Sequence, residues 1–187
     1  MTQDTHGRVL SVIACGAGPA TAIGTFVQLA QERGWTVQVI ATPAALGFFD
    51  QAAIEKATGS PVRSQYSKPG APRSQIADAI IVAPATVNTI NKWGAGICDT
   101  LALGILVEAI GKRLPIVAVP CTNRDHAAHP AFAENVAKLR SWGVEVLLGP
   151  DLSVLPVPGT GDGQLQLFPW LTAIEAIEAR TANPQTG

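Results

Sequence analysis

Asp78-Ala79-Ile80-Ile81-Val82-Ala83-Pro84-Ala85-Thr86-Val87-Asn88-Thr89 decides the fold, because a strand of apolar residues runs straight into a small polar turn. Residues 80–83 show no alternation of polar and apolar side chains. A strand of that kind is expected to be parallel and covered on both faces. Beyond it, Ala85 lets a flat ligand approach closely. Thr86, Asn88 and Thr89 offer hydroxyl and amide groups at the carboxyl edge, where sheets of this class bind ligands. A strand followed by an ordinary helix cap at Thr86 or Asn88 explains the same residues.

Working outward, residues 8–15 (RVLSVIAC) read as a first strand. Gly16-Ala17-Gly18 then turns into a helix expected over residues 19–33 and ended by Gly34. A second strand is expected over 36–41. A helix over 43–57 would present Ala45, Phe48, Phe49, Ala52 and Ala53 as one apolar face. Residues 59–75 are rich in Ser, Pro, Gly, Arg and Gln and read as a loop. Helical sequence over 88–111 is interrupted near Gly94-Ala95-Gly96. The pattern continues with a strand over 114–119, a helix over 130–142, a strand over 144–148, a Gly/Pro loop over 155–163 and a last helix over 170–180. Strands alternating with helices predict an α/β fold: a doubly wound, mostly parallel sheet in a Rossmann-like, flavodoxin-type three-layer architecture. One domain is expected over 1–187, with disordered ends at 1–7 and 181–187.

The 187 residues are 47% hydrophobic and 14% charged, which suits a sizeable core with little solvated surface to spare. A net charge of −1 without a basic stripe argues against nucleic acid and anionic membranes as partners. Cys15, Cys98 and Cys121 are odd in number, far apart and mostly in apolar runs. They read as buried thiols in a reducing compartment, with neither a disulfide frame nor a metal site. A polar start and the lack of a bilayer-length apolar run place the protein in the cytoplasm. Trp35, Trp93, Trp142 and Trp170 supply material for subunit interfaces.

Gly16-Ala17-Gly18-Pro19-Ala20-Thr21 resembles the opening of a dinucleotide fingerprint, whose helix start binds phosphate through free backbone N–H groups. Thr21 replaces the third glycine, and the second strand ends in Ala41-Thr42-Pro43, without the acid that holds an adenosine ribose. A mononucleotide fits better, its phosphate near a helix start and its ring against the Ala85 turn. Glycines that merely allow a tight turn are the competing explanation.

Four segments in order resemble the homo-oligomeric flavin-containing cysteine decarboxylases, a family that includes phosphopantothenoylcysteine decarboxylase and the lantibiotic peptidyl-cysteine decarboxylases. Residues 12–49 resemble the family's opening βαβ unit. Pro84-Ala85-Thr86-Val87-Asn88-Thr89 is similar to its Pro-Ala-Ser-Ala-Asn-Thr signature. Gly96-Ile97-Cys98-Asp99-Thr100-Leu101 is similar to a Gly-Ile-Cys-Asp-Asn-Leu stretch. Pro120-Cys121-Thr122-Asn123, followed by His129-Pro130, stands where the family has Pro-Ala-Met-Asn. The resemblance implies FMN bound between subunits of a homotrimer, or of a higher assembly such as a dodecamer. Cofactor contacts are then expected from Gly16, Ala17, Gly18, Thr42, Phe48, Ala83, Pro84, Ala85, Thr86 and Thr89. The implied substrate carries a carboxylate and is a small molecule or a peptide C-terminus. Asn88, Cys121, Thr122 and Asn123 are expected to hold it, with Asn88 and Asn123 as catalytic amides. The implied chemistry oxidises a cysteine thiol to a thioaldehyde, whose C=S accepts the electrons released as carbon dioxide leaves. For Asn123 an Asx turn is the alternative role.

The match also fails in places. The family's histidine would fall at Gly70, and the loop Lys68-Pro69-Gly70-Ala71-Pro72 has none. His126 and His129 read as surface or helix-start residues. Thr122 replaces the methionine of the clamp. The C-terminal loop LPVPGTGDG lacks the cysteine that pantothenate-pathway members use, so an enethiol product is expected to leave at the oxidised level. The main expectation is an FMN-dependent decarboxylase of a cysteine-type carboxylate. A flavin-binding protein of the same fold, regulatory or catalysing another flavin reaction, is the alternative. A nicotinamide-dependent oxidoreductase is a third reading, opposed by Thr42.

Overall fold

The computed structural model describes residues 7–68, 70, 75–149 and 155–182, the side chains of 162–164 excepted. Five parallel strands lie in the order β2-β1-β3-β4-β5: β1 Val9–Ala14, β2 Thr36–Ala41, β3 Ala79–Ala85, β4 Ile116–Pro120 and β5 Glu145–Val146. This is the doubly wound, flavodoxin-type order anticipated, with every strand parallel. Strand alternation divides the core in two. Val12, Ile81 and Val117 face one side with Phe26, Val27, Ile174 and Ile177. Ile13, Ile80 and Ala118 face the other with Trp93, Leu106 and Leu139. Helices α1 (Ile23–Glu32), α2 (Gln51–Thr58) and α7 (Trp170–Ala182) supply the first layer, and α3 (Val87–Gly94), α4 (Leu101–Gly111) and α6 (Pro130–Ser141) the second.

All seven β3 residues are buried, as an unbroken apolar run requires when both faces are covered. Asp78 sets where the strand enters: its Oδ2 accepts the Val9 N–H at 2.7 Å, and its own N–H donates to Val9 O at 2.9 Å.

Several local expectations are corrected. The helix expected from residue 19 opens as a 3-10 turn, Gly18–Ala22, before α1 begins. The helix expected over 43–57 is two pieces. Pro43–Gly47 is a 3-10 turn, and α2 starts only after Asp50, whose side chain caps it by accepting from Ala53 N–H at 3.2 Å. The break spoils the proposed apolar face: Phe48 is 37% exposed, Ala52 and Ala53 are exposed, and Ile54 is the α2 residue that enters the core. The strand expected over 144–148 pairs only at Glu145–Val146. A short helix, α5 Arg124–Ala127, and a 3-10 turn, Gly161–Leu167, occupy stretches read as irregular. Arg63 pairs beside Ile40, so the loop begins by extending the sheet edge. Residues 69 and 71–74 of that loop lie outside the described residues. So do 1–6 and 183–187 of the predicted ends, whereas Thr181 and Ala182 belong to α7.

Cys15 is buried and Cys121 half-buried, but Cys98 is exposed. Its apolar neighbours misled because the stretch between α3 and α4 runs over the surface. Trp35 and Trp93 are core residues, and Trp142 is the 45% exposed one. Among the described residues no helix is long and apolar enough to cross a membrane.

Candidate functional site

The carboxyl ends of β1, β2, β3 and β4 bring the sequence-predicted site segments to one edge. The connections from β1 and β3 leave toward opposite faces, which opens a crevice between their ends. Backbone hydrogen bonds hold that edge in register: Cys15 N–H to Pro84 O at 3.1 Å, Cys121 N–H to Ala85 O at 2.8 Å, and Thr42 N–H to Ala14 O at 2.9 Å.

The glycine turn is packed too closely for any side chain. A Cβ on Gly16 would stand 2.8 Å from Ala44 Cβ and 2.9 Å from the Ala44 carbonyl carbon and oxygen. A Cβ on Gly18 would run into the Leu165 side chain. Gly16, Ala17 and Gly18 are themselves half-buried at the mouth of the crevice. Thr42 is also half-buried, and its hydroxyl makes no capping bond to the turn it precedes. Phe48 ends that turn and stays partly exposed.

Ala83, Pro84 and Ala85 are buried, with a cis bond between Ala83 and Pro84, and they shape the floor. Thr86 is the N-cap of α3, accepting the Thr89 N–H at 3.4 Å. Of the two anticipated roles the structure shows the helix cap, and the turn stands at the carboxyl edge of the sheet. Thr89 is turned inward, 2% exposed; its hydroxyl lies 3.1 Å from that of Thr86 and accepts the Cys15 thiol at 3.2 Å. Asn88 is exposed on the first turn of α3.

On the far side of β3, Cys121, Thr122 and Asn123 follow β4, all half-buried. Asn123 caps α5, its Oδ1 accepting the His126 N–H at 2.9 Å. That engagement fixes the amide with Oδ1 toward α5 and leaves the Nδ2 donor outside the cap. His129 caps α6, its Nδ1 accepting from Ala131 N–H at 3.2 Å, in keeping with a helix-start residue.

Sequence reasoning missed three contributors: Ala44 and Leu165, which seat on the two glycines, and Cys15, which anchors the Thr89 hydroxyl from below. Proximity of Ala44 to Thr42 was a usable signal. Nothing in the sequence pointed to Leu165. One open cleft among the described residues, about 200 Å³ between α4 and the β1–β2 face at Ser11, Gln38, Glu108 and Lys112, lies away from this edge and joins none of these groups.

Burial raises the Cys15 thiol pKa, only partly offset by its hydrogen bonding with Thr89 and Thr86. Burial, and then the neighbouring Cys15, push Cys121 from 9.0 up to about 11. Both thiols are therefore neutral near pH 7. Cys121 in the folded chain should carry roughly a hundredfold less thiolate than in the unfolded chain, the arithmetic of two pH units. Iodoacetamide at mildly alkaline pH is expected to alkylate it correspondingly slowly until urea is added, as peptide mass mapping would read. Equal rates in the two states would contradict the burial. The same shift lowers fold stability as pH rises from 9.0 through about 11, because the unfolded thiol ionises first.

A parallel sheet of this order, with a glycine turn and a hydroxyl-bearing turn at its switch point, defines a doubly wound α/β protein, a class that binds ligands at this edge. Comparison with known proteins goes further. A family model described as Flavoprotein matches residues 2–180, and the chain belongs to that family. It is 33% identical over 167 residues to the coenzyme A biosynthesis bifunctional protein CoaBC of Mycolicibacterium smegmatis, covering 84% of this chain and 38% of that relative. This chain thus spans well under half of that protein. Among solved structures it resembles the FMN-dependent cysteine decarboxylase TvaF from thioviridamide biosynthesis, with TM-score 0.70, 23% identity and coverage of 91% and 98%. It also resembles the epidermin biosynthesis protein EpiD from Staphylococcus aureus, with TM-score 0.63, 25% identity and coverage of 74% and 81%.

Proposed function

We propose that this chain binds FMN at the carboxyl edge and decarboxylates a cysteine-type carboxylate oxidatively to an enethiol. The substrate class is a small molecule or a peptide C-terminus. The observation that carries the reading is the placement of the tightly packed Gly16–Gly18 turn, the Thr86 cap and the Asn123 cap after adjacent strands at one carboxyl edge. Membership in the Flavoprotein family and the likeness to TvaF, an FMN-dependent cysteine decarboxylase, support it.

The residues present fit the cofactor. Gly16 and Gly18 stand half-buried before a helical turn, where backbone N–H groups can meet a phosphate. Thr42 and Thr86 add hydroxyls, and the buried Ala83-Pro84-Ala85 floor offers a smooth surface to a flat ring. A bound flavin would supply the electron sink, accepting hydride from the carbon that bears the thiol. The protein's task is then orientation. Asn88 and the Nδ2 of Asn123 hold the substrate carboxylate as donors that do not titrate, close to the half-buried Cys121 and Thr122. Neutral Cys15 and Cys121 keep negative charge away from that carboxylate.

Assembly as a trimer, or as trimers joined further, belongs to the same reading. Helix α4 is apolar nearly all round, and Tyr66, Ile76 and Ile97 stand exposed beside it or on the neighbouring loops, which favours cover by another copy. A cytoplasmic location agrees with three free thiols.

The test is the visible spectrum of freshly purified protein, identification of the released flavin, and an assay of cysteine-ended peptides and acids for loss of carbon dioxide. Stoichiometric FMN and an enethiol product are expected. Flavin without carbon dioxide release would assign the non-decarboxylating alternative. A product at the fully reduced thioethyl level would overturn the expectation that the enethiol leaves oxidised.

A further inference from the structure

Oxidation of a thiol to C=S removes a hydride from carbon and a proton from sulfur. In the proposed reaction the cofactor takes the hydride, so a group at the carboxyl edge has to take the proton. The first acids after β1, β2, β3 and β4 are Glu32, Asp50, Asp99 and Asp125. Each is engaged: Glu32 accepts from Gln28, Asp50 caps α2, Asp99 holds Lys92, and Asp125 lies 3.7 Å from Arg124. Cys15 gives its own S–H to Thr89, and burial keeps Cys121 protonated near neutral pH. Two histidines lie among the described residues, both after β4. His129 is spent as the N-cap of α6, its Nδ1 accepting the Ala131 N–H at 3.2 Å. His126 differs. Its main-chain N–H closes the Asn123 cap at 2.9 Å, whereas its imidazole is exposed and makes no hydrogen bond or ion pair among the described residues. Asn123 is the N-cap of α5 and His126 its third residue, and the third side chain of a helix reaches back toward the cap. The imidazole is thus carried beside the amide assigned to the substrate carboxylate.

We propose that His126 is the general base of the reaction, its imidazole taking the thiol proton of a substrate whose carboxylate Asn123 holds. This rests on the decarboxylase reading above. The S–H bond breaks toward the imidazole nitrogen, the hydride leaves the adjacent carbon for the bound flavin, and the electron pair left on sulfur closes the C=S bond. When carbon dioxide departs, its bonding pair forms a C=C bond and the C=S pair returns to sulfur. The imidazolium then gives its proton to that sulfur and the enethiol is complete. His126 ends as it began, and the flavin leaves reduced. Two carbons separate carboxylate from thiol in a C-terminal cysteine, so a base one helical turn from the carboxylate donor is placed for the thiol.

The experiment mixes flavin-loaded protein, without oxygen, with a cysteine-ended peptide or acid and follows bleaching of the oxidised flavin in a single turnover. His126→Ala is expected to slow bleaching at least about a hundredfold, as loss of a general base does, and added imidazole to restore part of the rate. Flavin retention and melting temperature should stay at wild-type values, since the Asn123 cap uses only the main chain of His126. His129→Asn, which keeps a cap on α6, should bleach as wild type does. A second readout needs no turnover. In protein whose flavin has been reduced beforehand, the imidazole nitrogen resonances of His126 should move when the cysteine-ended ligand is added and stay in place for an alanine-ended one. A wild-type bleaching rate in His126→Ala, or a loss that imidazole leaves unrepaired, would overturn the base assignment while the decarboxylase reading stands. So would equal resonance shifts with the two ligands. A wild-type protein that binds flavin yet is bleached by no cysteine-ended peptide or acid would overturn the decarboxylase reading, and this inference with it.

Discussion

Gly16→Ala is expected to yield a protein that purifies without bound flavin. The added Cβ meets Ala44 Cβ at 2.8 Å and the Ala44 carbonyl at 2.9 Å, separations that real Cβ atoms do not tolerate. The obstruction is largely main chain at the exit of β2, which the Thr42 N–H to Ala14 O bond ties to β1, so it cannot swing aside like a flexible side chain. Relief requires the two turns to part. Overpacking of this sort costs about 1–3 kcal/mol, which thermal unfolding would register. Flavin binding should suffer separately, because parting the turns withdraws N–H groups from the phosphate. Each charge-assisted hydrogen bond lost removes about 1.5–3 kcal/mol, or roughly ten- to a hundredfold in Kd. Riboflavin, which has no phosphate, should lose much less. A Gly16→Ala protein that stays yellow and melts with wild type would show that the first turn neither packs tightly nor touches the cofactor.

The sheet was legible because its strands are apolar runs closed by small or polar residues, and parallel strands covered on both faces leave that trace. Ile80 to Ala83 and Ile116 to Val119 are of this type, each fully buried. Element ends were less legible where local chemistry competes with periodicity. Asp50 offers a better helix start than any residue before it, so α2 begins there and Phe48 is left at the surface, whatever the apolar spacing of 43–57. Likewise β5 keeps two paired residues, because Leu148 N–H turns back to Val146 O instead of bonding β4.

The site was legible as segments, since glycines, threonines and asparagines stood at strand ends, but individual roles were not. Thr89 and Thr86 are three residues apart and both carry a hydroxyl. Only packing turns one inward to Cys15 and leaves the other at the edge. Leu165 was invisible for a different reason, as its contact with Gly18 joins residues far apart in the chain and no periodic pattern encodes such a pairing.

Asn123→Asp is expected to cut kcat/KM for a cysteine-type carboxylate steeply while leaving both the fold and flavin retention intact. The substitution separates two roles that Asn123 combines. Its Oδ1 caps α5 by accepting the His126 N–H at 2.9 Å, and an aspartate oxygen does that equally well, with added benefit from the helix dipole. The melting temperature should therefore stay at or slightly above the wild-type value, whereas Asn123→Ala, which loses the cap, should cost about 1 kcal/mol. What the aspartate cannot do is donate from the place of Nδ2. It also sets a negative charge against the substrate carboxylate, a juxtaposition worth several kcal/mol where solvent is partly excluded, as it is around half-buried Asn123. A loss of at least about a hundredfold in kcat/KM, carried mainly by KM, is the expected reading. The deficit should narrow toward acid pH, where a protonated Asp regains a donor. Full activity in Asn123→Asp would reduce Asn123 to a helix cap and leave the carboxylate to Asn88, whose exposed place on the first turn of α3 would then carry the recognition alone.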